Sequence, residues 1–218
     1  MKIMRKIKTR DIALIAIMTS LLLVFALVPI SIGPVDMAFM ALLPVIVVTQ
    51  VKGLRIGMIL GAVFGIVSFG VSFSLRSVLS PVFMNPLVSI LPRLFIALTT
   101  YFSGKLIEKL LKKSKLDEKV AQSIRYGVSG AVGVCTNTTL VLGMMLLIYR
   151  GSDINGVAIG WALIGAILAT NFVIELVVTT VLCIPVSLTI NKLLTIQSQK
   201  KESGTTAQID VAEEKHDE

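Results

Sequence analysis

Apolar residues run through this chain in six stretches of near membrane-spanning length, each ended by a short polar or basic link. The first runs from Asp11, an acid suited to a helix start, to about Val28. An uncharged link, 29–34, leads into the second. There Pro34 suits a first helical position, Asp36 suits the first turn, and Pro44 predicts a kink before the stretch ends near Val51. The third, about 55–72, sets Gly57, Gly61 and Gly65 on one stripe, a spacing that lets another backbone come close. Residues 72–84 interrupt with Ser72, Ser74, Arg76, Ser77, Ser80 and Pro81 and predict a loop. The fourth stretch opens at Asn85, the fifth runs from about Tyr126 to Tyr149, and the sixth from Trp161 to about Ile190. The pattern predicts an all-α integral membrane protein of six transmembrane helices. Residues 1–10 form a basic lead-in, 11–192 one helical membrane domain, and 193–218 a polar tail expected to be disordered.

Charge orients these helices. The lead-in, the 50–56 turn and the 105–125 linker carry five, two and seven Lys or Arg residues, whereas the three intervening links carry none, Arg76 and Arg150. Positive links stay cytoplasmic, so both termini are expected inside. Tyr101, Tyr126, Tyr149 and Trp161 fall toward the ends of stretches, where interfacial aromatics sit. Basic residues precede the first stretch, but no small-x-small cleavage pattern follows, so it reads as an uncleaved span in a bacterial-type cell membrane.

Composition narrows the functions. With 55% hydrophobic and 16% charged residues this is not the make-up of a soluble domain. The net charge of +8 is spent on topology, which argues against nucleic acid as a partner. Cys135 and Cys183 lie inside apolar stretches and read as free thiols. The one histidine, His216, stands in the tail, and there is no phosphate-binding loop pattern. Histidine catalysis, a metal-histidine site and ATP binding by this chain are therefore not expected, nor is any cofactor.

What remains is a small set of polar residues at membrane depth: Arg93, Asn137, Asn171 and Glu175. An arginine flanked by apolar sequence is costly in a bilayer and normally faces a cavity or a partner. Asn85 and Arg93 are about two helical turns apart, roughly 12 Å. Asn171 and Glu175 are spaced to share one helix face. Two readings stand for the group: a buried Arg93–Glu175 salt bridge with amides bridging helices, or an arginine fork offered to the carboxylate of a ligand. Asn85 is equally a helix N-cap or a ligand contact.

The stretch Asn85-Pro86-Leu87-Val88-Ser89-Ile90-Leu91-Pro92-Arg93, the Ser/Pro-rich loop before it and six short spans resemble the substrate-binding S components of energy-coupling factor (ECF) vitamin transporters. The likeness covers about residues 8–195 and is nearest the pantothenate-type members. It implies that a small water-soluble vitamin, in an anionic form, is captured from outside, with loop 72–84 and link 29–35 closing over it. The S component then topples against a transmembrane T subunit driven by two ATPase subunits. It implies no enzymatic activity for this chain. The family docks its T subunit on an Ala-x-x-x-Ala stripe of span one, which here is Ala16 to Ser20 with Ala13 nearby. Serine is small enough for close approach; packing of these residues inside the bundle is the other reading.

On this reading Arg93 pairs with the anionic group, Asn85, Asn137 and Asn171 supply hydrogen bonds, and Glu175 holds Arg93 or accepts from a ligand hydroxyl. Two alternatives belong to other classes. One is a structural scaffold subunit of a membrane assembly; the other is an independent secondary transporter with Glu175 as its proton site.

Overall fold

The structure, a computed structural model, describes residues 9–27, 30–32, 35–37, 39–74, 79–113 and 116–214. Its principal helices are α1 (Thr9–Leu27), α2 (Phe39–Lys52), α3 (Leu54–Ser74), α5 (Pro86–Leu111), α6 (Glu118–Tyr149), α7 (Trp161–Ile167) and α8 (Val173–Glu214). A short α4 (Ser80–Phe83) precedes α5, and a π-helical turn, Leu168–Phe172, joins α7 to α8. Four segments are long and apolar enough to cross a membrane: 54–74, 86–111, 118–149 and 161–197. α1 and α2 contribute two shorter apolar helices.

The sequence of α2 explains its place. Apolar on all sides, with no polar face to turn outward, such a helix has to be enclosed. Residues 41–50 are buried without a break, and α1, α3, α5, α6 and α8 all pack against α2. Its 14 residues span about 21 Å, less than a bilayer core of about 30 Å. A helix sheathed in protein does not need that length. Pro44 lies inside it.

The glycine stripe of α3 is a packing device. A Cβ on Gly61 would stand 2.7 Å from the carbonyl oxygen of Arg93, and one on Gly65 would stand 2.8 Å from Cα of Ile90, so α3 and α5 touch backbone to backbone. Gly57 is pressed likewise against Thr49 of α2.

Two apolar cores form. The larger gathers Leu22, Leu42, Ile46, Leu60, Phe64, Ile96, Val134 and Cys183 from α1, α2, α3, α5, α6 and α8. The smaller gathers Leu79, Val82, Val88, Val141, Met145, Ile159 and Ile167 at the opposite end of α5 and α6. Ile159 follows a β-hairpin, β3 (Asp153–Ile154) and β4 (Val157–Ala158), whose turn residues Asn155 and Gly156 have φ of 53° and 81°. Asn-Gly is the pair that a tight two-residue hairpin turn demands.

Several expectations change. Asp36 is not in the first turn of a helix. It lies in β2 (Val35–Met37), opposite Ser31 of β1 (Ile30–Ile32), and α2 begins only at Phe39. Tyr126 is buried, not interfacial. Two hairpins qualify the all-helical reading. Where composition predicts a disordered tail after Lys192, α8 runs on to Glu214. Its Gln, Lys, Glu and Ala residues are adequate helix formers, and an anchored helix needs no new nucleus to propagate. The lead-in 1–8, residues 29, 33 and 34 of link 29–35 and residues 75–78 of the loop lie outside the described residues.

Candidate functional site

α5 begins where Asn85 caps it. The Asn85 side chain accepts a hydrogen bond from the Leu87 amide at 3.0 Å, with Pro86 at the first helical position. Of the two readings of Asn85, capping is the one observed.

Two turns further in, Pro92 has no amide proton and cannot donate to the carbonyl of Val88. Arg93 fills that gap, its Nη1 donating to Val88 O at 3.0 Å. The Pro-Arg pair is thus one device: the proline frees a carbonyl that anchors the guanidinium. Only 5% exposed, the arginine lies 5.4 Å from the ring centre of Phe64 and 5.6 Å from that of Phe83. Cation–π attraction of this kind strengthens when the cation is desolvated. Phe64 belongs to the larger core and Phe83 packs on the smaller, so Arg93 lies between the two.

The same boundary recurs on the other helices. On α6, Asn137 and Thr138 separate Val134 of the larger core from Val141 of the smaller. Along the last long segment, Asn171 and Glu175 fall between Ile167 of the smaller core and Cys183 of the larger. Arg93, Asn137, Thr138, Asn171 and Glu175 therefore form a polar layer across α5, α6 and the α7–α8 junction. The π turn holds Asn171, buried and accepting from Thr170 Oγ1 at 3.4 Å. Single π turns inside α-helices are frequent at functional sites.

The layer is not closed on itself. Among the described residues no ion pair joins Arg93 to Glu175, although each lies near enough to feel the other's charge. Glu175 Oε2 instead accepts from Thr138 Oγ1 at 3.3 Å. Arg93 Nε and Asn137 Oδ1 are buried with no partner among the described residues. A buried polar atom left unpaired costs about 1–3 kcal/mol, so the layer retains one donor and one acceptor that its own side chains do not use.

The sequence reading missed Thr138, although a run of polar residues, Thr136 to Thr139, in the middle of an apolar stretch was a visible signal. It also missed Phe64 and Phe83, which carry no mark distinguishing them from other core aromatics. The predicted docking residues Ala13, Ala16 and Ser20 share the exposed face of α1, and Ser20 Oγ donates to Ala16 O at 3.0 Å. They do not pack inside the bundle.

The described residues thus form a helical bundle that holds a partly unpaired cationic and amide layer between two apolar cores. The chain belongs to the family of ECF transporter substrate-specific components, whose family model matches residues 10–187. A protein of this family binds substrate for a transporter and is not itself an enzyme. The chain is similar to the pantothenic acid transporter PanT of Lactococcus lactis subsp. cremoris, with 27% identity over 200 residues, covering 82% of this chain and 92% of the relative. Its fold is similar to that of ThiT from Listeria monocytogenes, with a TM-score of 0.54 at 15% identity over 80% of this chain and 93% of the other.

Proposed function

We propose that this protein is the pantothenate-capturing S subunit of an ECF-type, ATP-driven uptake system, with six spans and both termini cytoplasmic. The observation that carries this reading is the polar layer, with Arg93 Nε and Asn137 Oδ1 buried and unspent. Its needs are complementary to a solute bearing one carboxylate and, beyond it, hydroxyl or amide donors. Pantothenate has that chemistry, and a relative of comparable length carries that substrate in its name. Arg93 takes the carboxylate, Asn137 and Asn171 take the polar body of the ligand, and Glu175, oriented by Thr138, accepts from a ligand hydroxyl. Asn85 acts through the helix start that it caps. The loop from 72 to 84 and the link from 29 to 35 close over the site, exclude water and strengthen each of these bonds. The exposed small-residue face of α1 meets the T subunit, and ATP is hydrolysed by two partner ATPases.

The test is direct. Detergent-purified protein is expected to retain pantothenate, identified by mass spectrometry of released small molecules, and to bind it with 1:1 stoichiometry by calorimetry. In vesicles holding this chain alone, binding without accumulation is expected. Uptake driven by a proton gradient in those vesicles would instead establish a secondary carrier. Absence of any bound or bindable solute would favour a scaffold.

A further inference from the structure

A second polar site lies at the other end of the bundle, away from the layer. The ends of α2, α5 and α6 enclose a pocket of about 200 Å³, room for roughly six waters at about 30 Å³ each. Three cations line it, Lys52, Lys105 and Arg125, against one carboxylate, Glu108. Thr100 also lines it, but its hydroxyl is closed off from the pocket and packs against Gly133 of α6.

The cations are not equivalent. Lys52 is held by Asp11 at 2.8 Å. Arg125 donates to Glu108 at 3.2 Å and to the carbonyl of Gln50 at 3.0 Å, which spends two of the five N–H donors of its guanidinium. Among the described residues Lys105 has no carboxylate within ion-pair distance; its ammonium stands 5.0 Å from the ring centre of Tyr101. Lys109 and Lys112 follow on the same helix, so the pocket mouth lies at the membrane–water boundary, the depth of lipid headgroups. A positively charged concavity there, with an uncommitted ammonium and spare guanidinium protons, matches a group that is anionic and rich in acceptor oxygens.

We propose that this pocket binds a phosphate group, gripped by Lys105 and Arg125 at its mouth. The group is that of an anionic lipid headgroup or a free phosphate. A lipid so held would tether the ends of α2, α5 and α6 to one leaflet.

Native mass spectrometry of the intact protein with added phosphatidylglycerol or diacylglycerol, together with thermal unfolding in inorganic phosphate, tests both sources. Phosphatidylglycerol adducts that survive activation, exceed those of diacylglycerol and fall about fivefold in Lys105→Gln assign the site to lipid. Stabilisation by inorganic phosphate that Lys105→Gln abolishes assigns it to free phosphate. Lys105 is exposed, so its loss does not threaten folding, and solute capture at the layer is expected to be unchanged. Equal adducts on wild type and Lys105→Gln with no phosphate effect, or an equal loss in Lys109→Gln just outside the pocket, would overturn the proposal.

Discussion

The bundle contains two buried polar groupings, and they differ in what they leave undone. Around Gln50 the amide is consumed: Nε2 donates to Tyr126 O at 2.8 Å and to Ser129 Oγ at 3.0 Å, while Oε1 accepts from Ser187 Oγ at 2.6 Å. One side chain from α2 thereby fastens α6 and α8. Around Arg93 the geometry is equally buried, yet a guanidinium nitrogen and an amide oxygen find no partner among the described residues. The first grouping is complete within the chain and serves its architecture. The second is left open among the described residues, and that openness is what the proposed binding site rests on.

That contrast can be broken most forcefully at Arg93. Arg93→Met is expected to lower solute affinity by about 100-fold or more, in the 2–5 kcal/mol range for truncating one member of a buried charged pair. Its unfolding temperature is expected to change little, because removal of a desolvated cation is offset by the Val88 carbonyl left without its donor. Calorimetry and thermal unfolding on the same preparation read both numbers; a large loss of stability with intact capture would make Arg93 structural. Gln50→Leu is expected to do the reverse. It strands the Ser187 hydroxyl, removes the amide's bonds to Tyr126 and Ser129, costs roughly 2–3 kcal/mol of stability and leaves affinity within about twofold. Smaller is Gly61→Ala, whose added methyl meets the Arg93 carbonyl; strain of about 1–3 kcal/mol is expected in stability, with a parallel loss of affinity because the backbone carrying the guanidinium must shift. Smallest is Arg125→Gln. Its pair with the half-exposed Glu108 is worth at most about 1 kcal/mol, seen as a slight drop in unfolding temperature and no change in capture.

Much of this was legible beforehand for identifiable reasons. Helix positions follow from apolar length, a close-packed face of α3 from glycines at four-residue spacing (though not that α5 is the helix it meets), and the start of α5 from Asn85-Pro86. Arg93, Asn137, Asn171 and Glu175 stood out because polar groups in apolar stretches are few. Gln50 did not, since it adjoins Lys52 and reads as part of a polar turn; only the packing of α6 and α8 across it reveals its role. Asp36 misled because an acid after a proline is a good helix start, whereas strand pairing with Ser31 prevailed. The absence of a direct Arg93–Glu175 bridge was also not readable, because the Pro92-freed carbonyl that captures the guanidinium is a competing partner supplied by the same helix. The clue lay in the adjacent Pro-Arg letters.

The π turn at Leu168–Phe172 sets a phase break in the last long helix. One surplus residue in a helix advances everything beyond it by roughly 100°. Removing one residue from 168–172 should thus swing Ile164 and Ile167 out of the smaller core while leaving Cys183 where it is. Any chimera that grafts the outer part of this helix from a relative must keep the surplus residue, or it will present the wrong side to its neighbours.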